Sequence, residues 1–386
     1  MADTLFFSRD TKVYLQVGDG IWEIPVLDGF SFSQTTNTTE VTLNEMSGTD
    51  GATRRGRRLF NDSFAPAEWS FSTYVRPFMA GGTVAGGGAD DEAKTHAVEE
   101  ALWAMMVGAA SYTKPVDATS STAFSNLTYG NKAAGLAISW ENSNVSSLGT
   151  GTLFFVIGKG KNNSQTYKME GCVVNEASVD FDVEGIATIN WSGMGTKLTE
   201  VANEPNPTIT EGTTTTSNFI RNRLTSLTMT TADDHLLAAG VTADADATAE
   251  TYDLTLTGGN ITISNNINFI TPETLGVINE PFGAVTGTRS IGGSFTCYLN
   301  AETDSSADLF ERLIEDRDTI TNSFGLIFNI GGTTANTNRL QFTVAQAHLE
   351  IPTHSIDDII SLETNFHGLP STIDGTDEVA LKYFSA

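Results

Sequence analysis

The sequence predicts a mainly β chain of the α+β class, built as two tandem β-sandwich or curled-sheet units, each with one flanking α-helix. Three observations carry that reading. Thr, Ser, Asn and Gly dominate the polar residues while lysine is scarce, the profile of short strands joined by turns. Apolar and polar residues alternate with a period of two in several runs. Three short motifs occur twice, in the same order. The 386 residues also exceed the roughly 250–300 at which single cores stop growing, so two units are expected.

The strands are read from alternation. Phe30 and Phe32 alternate with Ser31 and Ser33, and Trp69, Phe71 and Thr73 with Ser70, Ser72 and Tyr74. Leu254 and Leu256, then Ile261 and Ile263, do the same in the second unit. Such a pattern sets one face on a core and the other in water or against a partner. The repeated motifs are SFSTYV from Ser70 and SFTCYL from Ser294, LFFVIG from Leu153 and LIFNIG from Leu326, and NWSG from Asn190 and NFHG from Asn365. Between the first two motifs each unit holds a helix candidate. Val98, Leu102, Met105 and Met106 share one helical face in the first. Leu309, Phe310, Leu313 and Ile314 share one in the second, behind a cap at Ser305 or Ser306. The first unit spans residues 1–202, with inserted loops at about 77–95 and 111–152, expected as outer excursions. Residues 203–217 form a Pro- and Thr-rich linker, expected to be extended and solvated, and 218–386 form the second unit.

Charge narrows the function. The net charge is −26, with 21 basic against 47 acidic residues, the opposite of a nucleic-acid binder's footprint. An acidic surface repels phosphate. Cys172 and Cys297 give neither a disulfide framework nor a metal-ligand spacing, and both sit in strand-like runs as expected buried thiols. The start, MADTLFFSRDTK, does not read as a signal peptide, and the apolar run from Ala101 to Ala110 is short of the roughly 20 residues of a membrane span, so no membrane insertion is expected.

Catalytic chemistry is hard to assemble. His96, His235, His348, His354 and His367 are scattered, and no metal, P-loop or nucleophile-elbow pattern is present, so no cofactor and no enzymatic activity are expected. Two features stand out. In SVDFDVEG, Asp180, Asp182 and Glu184 fall on one strand face, with Asp357 and Asp358 at the matching place in the second unit. The stripe fits either an ordinary solvated face or an acidic wall lining a channel. Arg54, Arg55, Arg57 and Arg58 form the other feature, a basic cluster in an acidic chain. It fits a solvated loop with local salt bridges, a weak nucleic-acid contact, or a fork that docks on carboxylates of a neighbouring subunit.

WEIPVLDGFSFSQTTNTTEVTLNE from Trp22 and RRGRRLFNDSFAPAEWSFSTYVRPF from Arg54 resemble the tail tube proteins of long-tailed bacteriophages. FIRNRLTSLTM from Phe219, YDLTLTGGNITISNN from Tyr252 and TPETLGVINEP from Thr271 are similar in style. The resemblance implies a tandem-duplicated subunit that polymerises with itself as stacked rings. Asp180, Asp182, Glu184, Asp357 and Asp358 would line a lumen that passes DNA without specific binding. Segments Asn37–Pro66 and Thr271–Arg289 would be stacking loops, with Arg54, Arg55, Arg57, Arg58 and Arg289 as inter-ring contacts. It further implies tape measure, tail terminator and baseplate or tail-tip partners, assembly in the host cytoplasm and a place in the virion tail. Two tandem units per chain suggest a ring of three chains with a sixfold look. A capsid-decoration or host-glycan-binding β-sandwich, and a glycan-degrading tail enzyme, are the alternatives.

Overall fold

The computed structural model describes all residues except 1–4, 43–56, 81–92, 109–110, 113–123, 141–147, 159–163, 210–215, 232–250, 316–323, 335–336 and 374. The first half begins with β1 (Lys12–Val17), β2 (Gly20–Ile24), β3 (Ser31–Ser33), β4 (Thr36–Thr42), β5 (Arg57–Phe64), β6 (Ala67–Tyr74) and β7 (Pro77–Ala80). It continues with β8 (Lys94–Ala97), helix α1 (Glu100–Val107), β9 (Thr128–Tyr129), β10 (Leu136–Ser139), β11 (Gly151–Ile157), β12 (Gln165–Asp182), β13 (Thr188–Gly195) and β14 (Lys197–Val201). The second half begins with β15 (Ser226–Thr231), β16 (Thr251–Leu254), β17 (Leu256–Ser264), β18 (Asn268–Ile270), β19 (Gly283–Val285) and β20 (Ser290–Tyr298). Helix α2 (Ser306–Glu315), β21 (Phe324–Ile330), β22 (Arg339–Leu349), β23 (Thr353–Ser355), β24 (Ser361–Leu369) and β25 (Ala380–Phe384) complete it. The chain is therefore mainly β, antiparallel, with two α-helices among the described residues. None is long and apolar enough to cross a membrane.

The strand pairings of the two halves follow one scheme. In the first, β1 pairs with β2 and β11, β12 with β11, β13 and β14, β6 with β3 and β13, and β4 with β5. In the second, β15 pairs with β16 and β21, β22 with β21, β24 and β25, β20 with β17 and β24, and β18 with β19. The glycines ending NWSG and NFHG are equivalent in detail. An added Cβ at Gly193 would sit 2.5 Å from the Trp69 ring, and one at Gly368 would sit 3.0 Å from Ile291. In both places a bulky neighbour covers a strand position that has no side chain of its own. SFSTYV and SFTCYL, by contrast, are not in step. Ser72 lies opposite Asn190 and Ser294 opposite Asn365, so Ser294 stands where Ser72 does, two residues along from the match of letters.

Two seams join the halves. Along the first, β12 adds to β17 from Glu176↔Ser264 to Asp182↔Gly258. Along the second, β10 adds to β25, from Leu136↔Tyr383 to Ser139↔Ala380. This second seam corrects the reading of 111–152 as a loop throughout. Leu127, Leu136 and Ile138 carry apolar side chains that must be buried, and they enter the core with Phe124. The linker is corrected as well: Ile209 N–H donates to Ile21 O at 3.1 Å and bridges Trp22, so its described part is docked on β2.

Helix α1 is buried on every side, not along one stripe. It sits between the halves, and side-chain amides from elsewhere satisfy its late carbonyls, which have no partner within the helix. Asn126 Nδ2 donates to Ala104 O at 2.7 Å and Asn265 Nδ2 to Met106 O at 3.0 Å. Trp103 Nε1 donates to the Tyr383 hydroxyl at 2.6 Å, and its ring meets Trp191 edge-on at 4.8 Å. Helix α2 is amphipathic as expected, burying Leu309 and Leu313. Its serines do not cap it in the expected way, because Ser305 Oγ and Ser306 Oγ donate backwards to Asn300 O and Tyr298 O.

Beside Trp103 and Tyr383, Glu99 is fully buried. Desolvation pushes its carboxyl up to about 7, against partial relief from the Tyr383 hydroxyl and the Arg76 charge. A carboxyl raised in the fold takes up protons that the unfolded chain has lost. Its contribution is full below the ordinary value of 4.5 and declines as pH rises through 7. The interval corresponds to about 3 kcal/mol. Replacing Glu99 by Gln is therefore expected to flatten the pH dependence of stability, with the variant gaining most on wild type at pH 8. Urea unfolding of both proteins at pH 5 and pH 8 measures this, and parallel curves would exclude it.

Candidate functional site

Because β12 joins β17 in register, the sheet β3–β6–β13–β12–β17–β20–β24 runs unbroken through both halves. Residues directly opposite across an antiparallel ladder share a face. One row reads Ser72, Asn190, Ser178, Thr262, Gly292, His367 and, on β22, His348. The next reads Tyr74, Thr188, Asp180, Asn260, Ser294 and Asn365. Between them runs a row of the opposite face, Thr73, Ile189, Val179, Ile261, Gly293 and Phe366, which is directed into the core. The polar face is thus a fixed consequence of register. Along it the described strands carry carboxylates and small polar groups, with Glu68, Glu176, Asp180, Asp182 and Glu363, and no lysine or arginine.

Short hydrogen bonds hold this surface. Ser72 Oγ donates to Asn190 Oδ1 at 2.6 Å, and Asn190 Nδ2 donates on to Asp180 Oδ2 at 2.9 Å. Thr262 Oγ1 donates to Ser178 Oγ across the seam at 3.2 Å. At the β22 edge Asn365 Nδ2 donates to Glu350 Oε2 at 2.8 Å. That bond and His367 hold the Glu350 carboxyl below its ordinary range. The face is wetted and anionic. Among the described residues no three His, Cys, Asp or Glu side chains group so as to hold a metal ion.

The predicted acidic residues divide. Asp180 and Asp182 lie exposed on the polar face, as the alternation requires. Glu184 does not share it, since β12 ends at Asp182 and Glu184 falls in the turn to β13. Asp357 and Asp358 lie in the corresponding turn between β23 and β24. Both turns are at one rim of the sheet. Hairpins β4–β5 and β18–β19 leave the opposite rim, after Ser33 and Ser264.

The arginines divide too. Arg54 and Arg55 lie outside the described residues, Arg57 opens β5, and Arg58 is exposed on the same strand. Arg289 is engaged inside the chain. Its guanidinium pairs with Glu378, donates to Thr376 O at 3.2 Å and lies 5.5 Å from the Trp140 ring centroid. No feature of the sequence linked Arg289 to a carboxylate 89 positions away. The two hairpins touch each other. Phe64 N–H donates to Asn279 O at 2.8 Å and Asn279 N–H to Asp62 O at 3.3 Å, while Lys197 of β14 pairs with Glu280 at 2.9 Å. Beyond that contact the second hairpin projects exposed apolar groups, with Leu275 fully exposed and Phe282 at 81%. Composition alone had singled out only the basic hairpin.

A broad polar sheet face, with paired hairpins at one rim and turns at the other, defines an antiparallel β-protein of two similarly paired halves. The chain belongs to the family described as phage tail tube protein, which matches residues 27–368. Over 370 residues it is 30% identical to tail tube protein pb6 of Escherichia phage T5, an alignment covering 94% of this chain and 71% of that one.

Gly259 holds the seam closed. It lies opposite Phe181, and an added Cβ would stand 2.7 Å from that ring and 2.4 Å from Ser294 O. Gly259→Val is expected to cost about 1–3 kcal/mol through overpacking. Gly283→Val meets nothing within 4 Å and is expected to stay within about 0.5 kcal/mol of wild type. Denaturant midpoints of the two variants compare them directly, and equal midpoints would remove the seam's dependence on glycine.

Proposed function

We propose that the chain is a non-enzymatic structural subunit of a phage tail tube, polymerising with itself as stacked rings. In each ring three chains supply six similar sheet segments, and the polar faces together line a lumen through which DNA passes. The observation that carries this reading is the continuous, lysine- and arginine-free face that crosses both halves in one register. A duplex that must slide has to be kept from binding. Fixed carboxylates and small hydroxyls repel phosphate and offer it no donor fork. Asp180 and Asp182 serve that role on the wall, while Glu184, Asp357 and Asp358 mark the rim of turns. Stacking brings the hairpin rim of one ring onto the turn rim of the next, so that the basic hairpin meets acid and exposed apolar groups lose water. Tape measure, terminator and tail-tip proteins would meet the open ends of such a tube.

Charge reversal tests the lumen. Asp180→Lys with Asp182→Lys is expected to leave tubes intact and to slow genome ejection from assembled virions. Ejection at the wild-type rate would refute the electrostatic role of this wall. Replacing Arg54, Arg55, Arg57 and Arg58 by Ala tests stacking. Folded, soluble protein that no longer forms tubes is expected, and raised salt should weaken wild-type stacking because exposed pairs are screened. Tubes of normal length from the quadruple variant would assign the arginines to solvent.

A further inference from the structure

The hairpin rim and the turn rim carry surfaces that match each other. At the hairpin rim, β5 meets the loop between β18 and β19 where Ser63 bridges Asn279. Beside that contact the two hairpins part and leave a groove of about 510 Å³. Asp62 lines it from the first hairpin and Glu273 from the second, and both are exposed. Leu275 lines it too, and Val277 and Phe282 are exposed on the same loop. An acidic groove beside exposed apolar side chains suits an occupant that is both basic and apolar.

The turn rim presents such a segment. Residues 219–224 lead from the linker into β15 and fold onto the turn between β12 and β13. Ala187 N–H donates to Ile220 O at 2.8 Å, and Asn222 N–H donates to Gly185 O at 3.1 Å. Asn222 Nδ2 also donates to Asp182 Oδ1 at 3.4 Å. Ile220 and Asn222 are buried by this docking, which leaves Arg221, Arg223 and Leu224 exposed. The elbow thus projects two guanidinium groups and a leucine that is 62% exposed, from a backbone anchored to the sheet. Groove and elbow stand at opposite rims, so they meet only between copies, head to tail. A contact of that kind repeats along an axis without closing.

We propose that the groove between the hairpins receives the 219–224 elbow of a second copy of this chain, in the next ring. Arg221 and Arg223 are then set against Asp62 and Glu273, and Leu224 against Leu275. The arginine fork is suited to carboxylates at such a junction. Charge selects the elbow over its neighbour. The turn before β24 also exposes apolar groups, Ile356 and Ile359, but Asp357 and Asp358 lie between them and would bring carboxylate against carboxylate. Each exposed pair is weak alone, and repetition around a ring lets weak contacts add. The inference rests on the stacked-ring reading above and specifies its axial contact.

Charge exchange tests it. R221E/R223E and D62K/E273K chains are each expected to need roughly tenfold more protein than wild type to form tubes. The chain carrying all four changes is expected to recover most of that loss. A four-change chain no better than the weaker double would overturn the contact. So would equal recovery of R221E/R223E by E302K/E311K, which restores the net charge elsewhere on the exposed surface. Should the Asp62 change disturb the first hairpin, oxidised L224C/L275C tubes give a second readout on a denaturing gel without reductant. The native Cys172 and Cys297 are buried, with thiols pushed up to about 12 and about 11, and do not compete. A ladder running past three chains is expected, because links confined to a ring of three would end there. Tubes seen in micrographs whose chains stay single on that gel would overturn the contact and leave the tube reading standing. A wild-type chain that never forms tubes at any concentration would instead count against the tube reading itself.

Discussion

The structure depends on the antiparallel register between β12 and β17. A strand slipped by one residue turns every side chain to the other face. The seam from Glu176↔Ser264 to Asp182↔Gly258 therefore decides whether the two halves share one core and one polar surface. Once it is set, Ile261 and Ile263 join Val179 and Ala177 inside, and Thr262 and Ser178 meet outside. The hairpins are then delivered to one rim and the turns to the other, because each follows from where a paired strand ends. Glycines at the crowded positions are part of the same constraint, since the seam has no room for a Cβ at Gly259.

Much of this was legible in the sequence. Alternation located β6, β17 and the acidic strand, and NWSG with NFHG matched residue for residue because each motif carries a polar residue, an aromatic and a closing glycine at fixed places in the pleat. SFSTYV and SFTCYL misled by two positions. In a strand a shift of two restores the same face, so letters alone do not resolve it. Glu184 was misplaced for a related reason: the alternation continues past Asp182, while the strand stops there and turns toward Gly185. Long-range pairs left no local signal. Arg289 with Glu378, Asn279 with Phe64, and β10 with β25 are consequences of packing two halves together.

The region around α1 shows a different economy. A helix of eight buried residues holds no exposed polar stripe, and its polar needs are met from other elements by Asn126, Asn265 and Tyr383. Buried ionisable groups such as Glu99 are costly without compensation. Their position next to residues of both halves ties the chemistry of the core to the junction between the halves. The outward faces carry none of this burden and are left to charge and shape.

The β10–β25 seam also bears on how the chain acquires its fold. Trp103 and β10 from the first half are completed by Tyr383 and its strand, with 280 positions between Trp103 and Tyr383. Contacts so distant along the chain are slow to form, because loop closure precedes any return in packing energy. During synthesis the β12 edge stays uncovered until β17 emerges, and the β10 edge and the Trp103 pocket stay open until β25, the last strand, does. An incomplete chain exposes the kind of unpaired strand edge that favours aggregation, and β25 is the strand that covers the last of these, on β10.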